Sequence, residues 1–257
     1  MVFVNFIPPD LYKFCPSKFD ITKGCNTIRV GTLNEFRLIE NHLLQDAGEG
    51  EFNYNIRFPQ LTQVSEEWIR ELRFGSEQYI HVEQMVYEGT QAYIKGVTIS
   101  GYDHNCWIYC LSESGDGAGN ISEAHQSKWM LSGSKIGEFA RYLANMLMQN
   151  IKIEDLPLGI IEKYTIAEIS EGISVNYKFG RVRYVNRIYD INNESDYPVE
   201  RLKELRGDIP FIKPEKFSDE KEFRFAFFLN FRGNRISVNS DKKIIQMRGV
   251  DKFLNDE

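Results

Sequence analysis

The sequence lacks the short motifs by which common hydrolases and nucleotide-binding enzymes are recognised. It contains no Gly-x-Ser-x-Gly or His-Glu-x-x-His motif, and its glycines form neither Gly-x-Gly-x-x-Gly nor Gly-x-x-x-x-Gly-Lys. Histidine and cysteine are scarce, with four of each at scattered positions: His42, His81, His104, His125, Cys15, Cys25, Cys106 and Cys110. Because the cysteines form no Cys-x-x-Cys pair, we expect reduced thiols and no metal site.

An excess of positive charge and a long apolar run are also missing. The net charge is -6, so tight non-specific binding of nucleic acid is disfavoured. Brief contact needs only a local basic patch, which Lys178, Arg181, Arg183 and Arg187 can form, although such charges more often make a solvated surface. The most apolar run, residues 223–231, is too short to span a bilayer, and the N-terminus does not resemble a signal peptide. We expect a soluble, cytoplasmic protein with no membrane partner.

What the sequence has in quantity is aromatic and β-branched residues in strand-like patterns. It contains 18 Phe and 13 Tyr, which favour strands. Two hairpins are predicted, over 78–101 and 222–240, and the continuous apolar run at 105–112 predicts a central strand. Further strand patterns lie at 26–33 and 180–191, and helix patterns at 65–72, 135–150 and 197–207. Because strands and helices do not alternate regularly, we predict an α+β fold, mainly antiparallel, in one domain over residues 1–257.

The stretch DEKEFRF, residues 219–225, holds two glutamates one residue apart. Alternation along a strand places Glu220, Glu222 and Arg224 on one face, with Phe223 and Phe225 on the other. Two interpretations follow from this pattern. The carboxylates belong either to the solvated face of an amphipathic strand or to the acidic centre of an active site.

A second polar stretch, residues 29–52, follows a predicted strand directly. Polar side chains at the end of a strand often line a ligand cleft, whereas the alternative is a surface helix and loop. Among the histidines, His125 is the one candidate for a functional role, because it lies next to the glycine-rich segment 112–127.

In these motifs and in their order, the chain resembles a widespread bacterial and phage family known only as a domain of unknown function. The resemblance runs from about residue 11 to residue 225 and is carried by a series of short motifs. They are Leu11-Tyr12-Lys13-Phe14, the polar turn from Gly31 to Arg37, Asp46 with Glu49-Gly50, Cys110-Leu111-Ser112, Trp129-Met130 in an order reversed from the family's, and Glu220 to Arg224.

The same layout is more distantly similar to ADP-ribosyltransferases, including bacterial toxins that modify nucleic acid and block phage growth. That resemblance implies a split antiparallel sheet and NAD as substrate. The residues it implies for the NAD pocket are Tyr12, Lys13, Thr32, Asn34 and Arg37. It also implies that Glu222 stabilises the positive charge that develops on the ribose when its bond to nicotinamide breaks, and that Glu220 orients or deprotonates the acceptor.

Two functions are therefore expected from the sequence. The first is an ADP-ribosyltransferase-like toxin or phage-defence effector that modifies RNA, DNA or protein and is held by an antitoxin or regulatory protein. The alternative is a non-catalytic nucleotide-sensing or interaction module in a phage-response system. A nuclease has the least support, because no cluster of metal-binding residues stands out.

Overall fold

The computed structural model of the chain describes residues 9–39, 45–72, 75–116 and 125–254. Its fold is α+β, with sheets that are mainly antiparallel. The strands are β1 Leu11–Cys15, β2 Thr27–Thr32, β3 Glu51–Val64, β4 Glu77–Glu88, β5 Gln91–Tyr102, β6 Trp107–Ser112, β7 Ser127–Leu131, β8 Ile173–Arg181, β9 Arg183–Tyr184, β10 Ile188–Ile191, β11 Ile212–Lys213, β12 Glu222–Phe231, β13 Asn234–Arg235 and β14 Lys243–Gln246. The helices are α1 Leu33–Leu38, α2 Glu66–Leu72, α3 Ile136–Gln149, α4 Leu158–Ile161, α5 Ile166–Gly172 and α6 Val199–Asp208.

Strand β12 is a buried interior strand of the larger sheet. It pairs antiparallel with β6 and with β8, and every one of its ten residues is buried. Phe223, Phe225 and Phe227 belong to the main hydrophobic cluster, whereas Ala226 and Phe228 belong to a smaller cluster. This alternation was expected, but its burial on both faces rules out the solvated amphipathic strand.

The predicted helix over 135–150 is confirmed as α3, which packs on the larger sheet. Its buried residues Ile136, Phe139, Leu143 and Leu147 recur at three- and four-residue spacing and so form one apolar face. The ring of Phe139 stands edge-on to that of Phe225, with 5.7 Å between the ring centroids. Burying side chains of this size stabilises the sheet by about 2–3 kcal/mol each.

The smaller sheet has the strand order β10-β3-β5-β4 and confirms the first predicted hairpin. Strands β4 and β5 pair antiparallel and turn at Gly89, whose φ of 63° suits glycine. Helices α2 and α6 contribute Trp68, Leu202 and Leu205 to its core. The predicted strand over 180–191 is wrong as one element, because it is divided among β8, β9 and β10.

The shared strand face predicted for Glu220, Glu222 and Arg224 is wrong for Glu220. A 3-10 helix runs from Glu215 to Glu220, and Lys221 then adopts a left-handed conformation with φ of 44°. Strand β12 begins only at Glu222. The chain thus turns between the two glutamates, and any proximity of their carboxylates depends on this turn rather than on strand alternation.

Candidate active site

A cavity of about 220 Å³ lies where β12 begins, between β1, α1, β6 and β11. The register of the strands explains why polar groups meet here. Tyr12 of β1 is paired with Ser112 of β6, and Ser112 is paired in turn with Glu222 of β12. These three residues therefore lie side by side on adjacent strands, and all three line the cavity. The side chains of Phe14 and Phe36 form an apolar part of the cavity wall.

Glu222 lies in a buried network of charges on one wall of this cavity. Its Oε1 accepts a hydrogen bond from Arg224 Nε at 2.7 Å, and its Oε2 accepts from Lys213 Nζ at 2.9 Å. Arg224 also donates to Glu49 Oε1 at 2.7 Å, while Lys213 donates to Glu220 Oε2 at 2.6 Å. The side chains of Arg224 and Glu49 are 1% and 0% exposed, so water cannot compensate these charges.

This network drives the pKa values of the two glutamates in opposite directions. Burial raises the pKa of Glu220 above its usual value, and the Lys213 ammonium offsets this only in part. Burial would raise the pKa of Glu222 too, but Arg224 and Lys213 outweigh it and hold that pKa well below the usual range. The pKa of Glu220 therefore lies above the usual carboxyl value and that of Glu222 below it, so Glu222 holds a proton less readily than Glu220 does.

Two basic residues that line the cavity have unused hydrogen-bonding capacity. Lys13 Nζ donates to the Cys110 carbonyl at 2.9 Å and lies 4.7 Å from the centroid of the Tyr109 ring, and it makes no ion pair with any described residue. Burial lowers the pKa of Lys13. His125 also lines the cavity, and its Nδ1 has no hydrogen-bond partner in the described part of the chain.

The predicted site residues fall into two groups. Tyr12, Lys13, Glu220 and Glu222 line the cavity together. The other three do not line it. Thr32 is fully buried; its hydroxyl caps α1 by accepting from Glu35 N and donates to the Asp241 carbonyl.

Asn34 and Arg37 line a second cavity, with a volume of about 370 Å³. Helix α1 contributes to both cavities, because Phe36 lies on the first and Arg37 on the second. Arg37 still touches the charge network indirectly, since its Nε donates to the backbone carbonyl of Glu49.

Sequence reasoning missed Lys213 and gave no role to Arg224 or Glu49. Glu49 and Arg224 are 175 positions apart, and no local pattern joins them. Lys213 lies between an apolar run, Ile209 to Ile212, and Pro214, and nothing in this segment signals its position between two carboxylates.

The basic side chains considered for nucleic-acid contact are largely neutralised. Lys178 and Arg183 both bond to Asp208, and Arg181 bonds to Glu113. Arg187 is buried and forms an ion pair with Asp46. Arg187 is therefore withdrawn from the surface, and the three exposed cations share two carboxylates, which leaves little excess positive charge there.

No family model matches the chain, and neither does any curated protein or solved structure. Within the described residues, no three His, Cys, Asp or Glu side chains lie close enough together to hold a metal ion. The same part of the chain has no helix that is long and apolar enough to cross a membrane.

Proposed function

We propose that the protein is an ADP-ribosyltransferase-like enzyme that transfers ADP-ribose from NAD to a nucleic acid or protein acceptor, as a toxin or phage-defence effector. One observation carries the proposal. Glu220 and Glu222 line the same cavity and share Lys213, yet their pKa values move in opposite directions. The proposed cleavage of the glycosidic bond uses one carboxylate that stays ionised beside the developing positive charge and a second carboxyl group that exchanges a proton.

In the proposed reaction, the bond between ribose C1′ and nicotinamide breaks, and its electron pair leaves with nicotinamide. The ionised carboxylate of Glu222 stabilises the positive charge that develops on the ribose. An oxygen or nitrogen of the acceptor forms the new bond to C1′ and gives its proton to Glu220. Glu220 suits this role, because a raised pKa brings a carboxylate closer to the basicity of a general base at neutral pH.

The size and lining of the cavity suggest which part of NAD it would take. Its volume of about 220 Å³ is below the roughly 300–1,000 Å³ typical of cavities that enclose drug-sized ligands. We therefore assign it to nicotinamide and the attached ribose, with Phe14 and Phe36 against the apolar ring and Tyr12 and Lys13 as polar contacts.

An ADP-ribosyltransferase-like split antiparallel sheet is part of the proposal. It is supported by the position of Glu222 at the start of a late, central strand. The same pairing of strands brings Tyr12 of the first strand to Glu222 through Ser112.

The test is to incubate the purified protein with NAD labelled in the adenylate and with cellular RNA, DNA or protein in separate reactions. We expect label transfer to one of the three, together with release of nicotinamide, and a loss of about 100- to 1,000-fold in Glu222→Gln. Glu168→Gln is the matched control, because Glu168 is an exposed carboxylate paired with Arg232. Absence of transfer by the wild type, or equal transfer by a folded Glu222→Gln variant, would refute the assignment.

A second candidate function is a non-catalytic nucleotide-sensing module. It is favoured by the fact that Arg224 and Lys213 already occupy both oxygens of Glu222, which leaves this carboxylate limited capacity to contact a ligand. Calorimetry with NAD and other nucleotides separates the two functions. The module would bind without releasing nicotinamide, and Glu222→Gln would change only the affinity or the stability.

A toxin would require restraint by an antitoxin or another regulatory protein. If the proposal holds, the wild type should slow the growth of its expression host, whereas Glu222→Gln should not.

A further inference from the structure

Strand β4 forms a long, apolar edge of the smaller sheet. It is the terminal strand in the order β10-β3-β5-β4, and β5 is its only partner among the described strands. Edge strands of soluble proteins are usually short or protected by lysine or proline, whereas β4 has twelve residues and contains neither. Five of its residues are large apolar side chains that are 40–67% exposed: Tyr79, Ile80, Val82, Val86 and Tyr87. An edge of this length and composition is suited to pairing with another strand.

Four apolar residues of β4 lie on the face that carries the core of the smaller sheet. They are Ile80, Val82, Met85 and Tyr87, and each is paired with a core residue of β5. Paired residues of an antiparallel sheet point to the same side, so these four form one row. The row passes from even to odd positions because the pairing is irregular at positions 83 and 84. Only Met85 packs against the core, and the other three are about half exposed, so the core of this sheet is not closed at the edge.

The irregularity in the middle of β4 allows this apolar row to meet a copy of itself. In an antiparallel second copy whose two-fold axis passes between positions 83 and 84, Ile80 lies opposite Tyr87 and Val82 lies opposite Met85. All four residues of each copy are then paired with apolar residues of the other copy on the same face. The row is therefore self-complementary about this axis.

The charges of β4 favour the same axis. Its three glutamates, Glu77, Glu83 and Glu88, would repel one another if they were placed directly opposite. The axis between positions 83 and 84 places Glu83 opposite Gln84 and Glu88 opposite Tyr79, and Glu77 falls beyond the end of the other strand. An axis one position earlier would instead set Glu77 opposite Glu88. Charge and apolar pairing thus agree on one register.

We propose that β4 pairs antiparallel with β4 of a second copy of this chain, so that the two smaller sheets join into one continuous sheet. Tyr79 and Tyr87 are 67% and 57% exposed. Together they expose roughly 200–300 Å², which is about a quarter to a third of the roughly 800 Å² that each partner buries in a specific interface. The remaining residues of this edge add to that area. The pairing does not depend on the proposed transferase activity.

The test is sedimentation equilibrium of the full chain over about 1–100 μM, a range that detects a dimer of micromolar Kd. We expect a dimer, and Ile80→Lys should weaken it by at least about ten-fold, because the ammonium group enters the apolar row. Ile244→Lys is the matched control. Ile244 is also an exposed strand isoleucine, but it lies in β14, which pairs with β2 outside the smaller sheet, so the dimer should be unchanged.

Ile80→Lys can also disturb the packing of its own sheet, so a second variant tests the register without adding a charge. Opposite residues of an antiparallel pair have Cβ atoms about 4.5–5.5 Å apart, so Val82→Cys/Met85→Cys should cross-link the two copies when oxidised with copper phenanthroline. Val82→Cys alone should not, because the two copies of position 82 are offset by three residues, roughly 10 Å.

Three outcomes would each overturn the proposal. The first is a wild type that stays monomeric at about 100 μM. The second is a dimer that Ile80→Lys and Ile244→Lys leave equally stable, since the interface would then lie elsewhere. The third is a double cysteine variant that cross-links no faster than Val82→Cys.

Discussion

The buried network around Arg224 makes a prediction about stability that does not depend on any assignment of function. Arg224 donates hydrogen bonds to Glu222, to Glu49 and to the backbone carbonyl of Pro210. Replacing it with methionine preserves much of the aliphatic volume and removes the charge. Glu222 would keep Lys213 as a partner, but no other described side chain bonds to the carboxylate of Glu49.

The expected cost follows from the burial of the groups left behind. Removing one partner of a buried ion pair destabilises a protein by about 3–5 kcal/mol, because the remaining charge is uncompensated. Glu49 is 0% exposed, so Arg224→Met should fall in this range. Arg232→Met is the matched control, since Arg232 and its partner Glu168 are both about half exposed. A surface pair of this kind contributes at most about 1 kcal/mol.

The assay is urea unfolding followed by circular dichroism, with the free energy of unfolding extrapolated to water. The double variant Glu49→Gln/Arg224→Met adds a check, because it leaves no unpaired charge at Glu49. It should be less destabilised than the sum of the two single variants, by about 1–3 kcal/mol. The reasoning is refuted if Arg224→Met lowers the free energy of unfolding by less than about 1 kcal/mol, or by no more than Arg232→Met does.

Two further predictions concern the neighbourhood of Glu222. Its pKa is held below the usual range, so it contributes stability that is present above about pH 4.3, the unfolded value, and is lost as the pH falls through its folded pKa. The gap in unfolding free energy between wild type and Glu222→Gln should therefore be widest near neutral pH and should close on acidification; a gap that does not vary with pH would contradict the shift. Lys221→Val should cost about 1–2 kcal/mol in urea unfolding, because Lys221 is left-handed and a β-branched residue is strained there. Lys216→Val is the control, because Lys216 is exposed and has no positive φ. If both variants lose the same free energy of unfolding, backbone strain at position 221 is not the cause.

Much of the fold could be predicted from the sequence, because the residue pattern within a single helix or strand is often enough to identify that element. Helix α3 was predicted because its apolar residues recur every three or four positions, and the β4–β5 hairpin because Gly89 separates two strand patterns. The continuous apolar run at 105–112 predicted a central strand, and β6 pairs with β12, β1 and β2. Local periodicity was sufficient for these elements, because their burial follows directly from it.

The site was predicted only in part, because its geometry depends on contacts between distant segments. The turn at Lys221 separates Glu220 from the strand, and a lysine gives no sequence signal for a left-handed conformation. Residues 180–191 alternate like one strand, but Arg187 instead turns inward to Asp46, which is 141 positions away. Neither the shared Lys213 nor the pairing of Glu49 with Arg224 has a local signature.

Burying the charges of this network costs desolvation free energy, so the network needs an explanation other than stability. Arg224 lies between Phe223 and Phe225 in a fully buried strand, where an apolar residue would complete the core without desolvating a charge. Replacing buried ion pairs by well-packed apolar residues is often neutral or stabilising, so stability alone does not account for Arg224, Glu49 and Glu222. Their position beside a cavity does account for them if the site needs an ionised carboxylate held in one orientation, because Arg224 and Lys213 provide both the charge and the geometry. If the proposed transferase activity holds, Arg224 is a residue that positions Glu222 rather than only a part of the core.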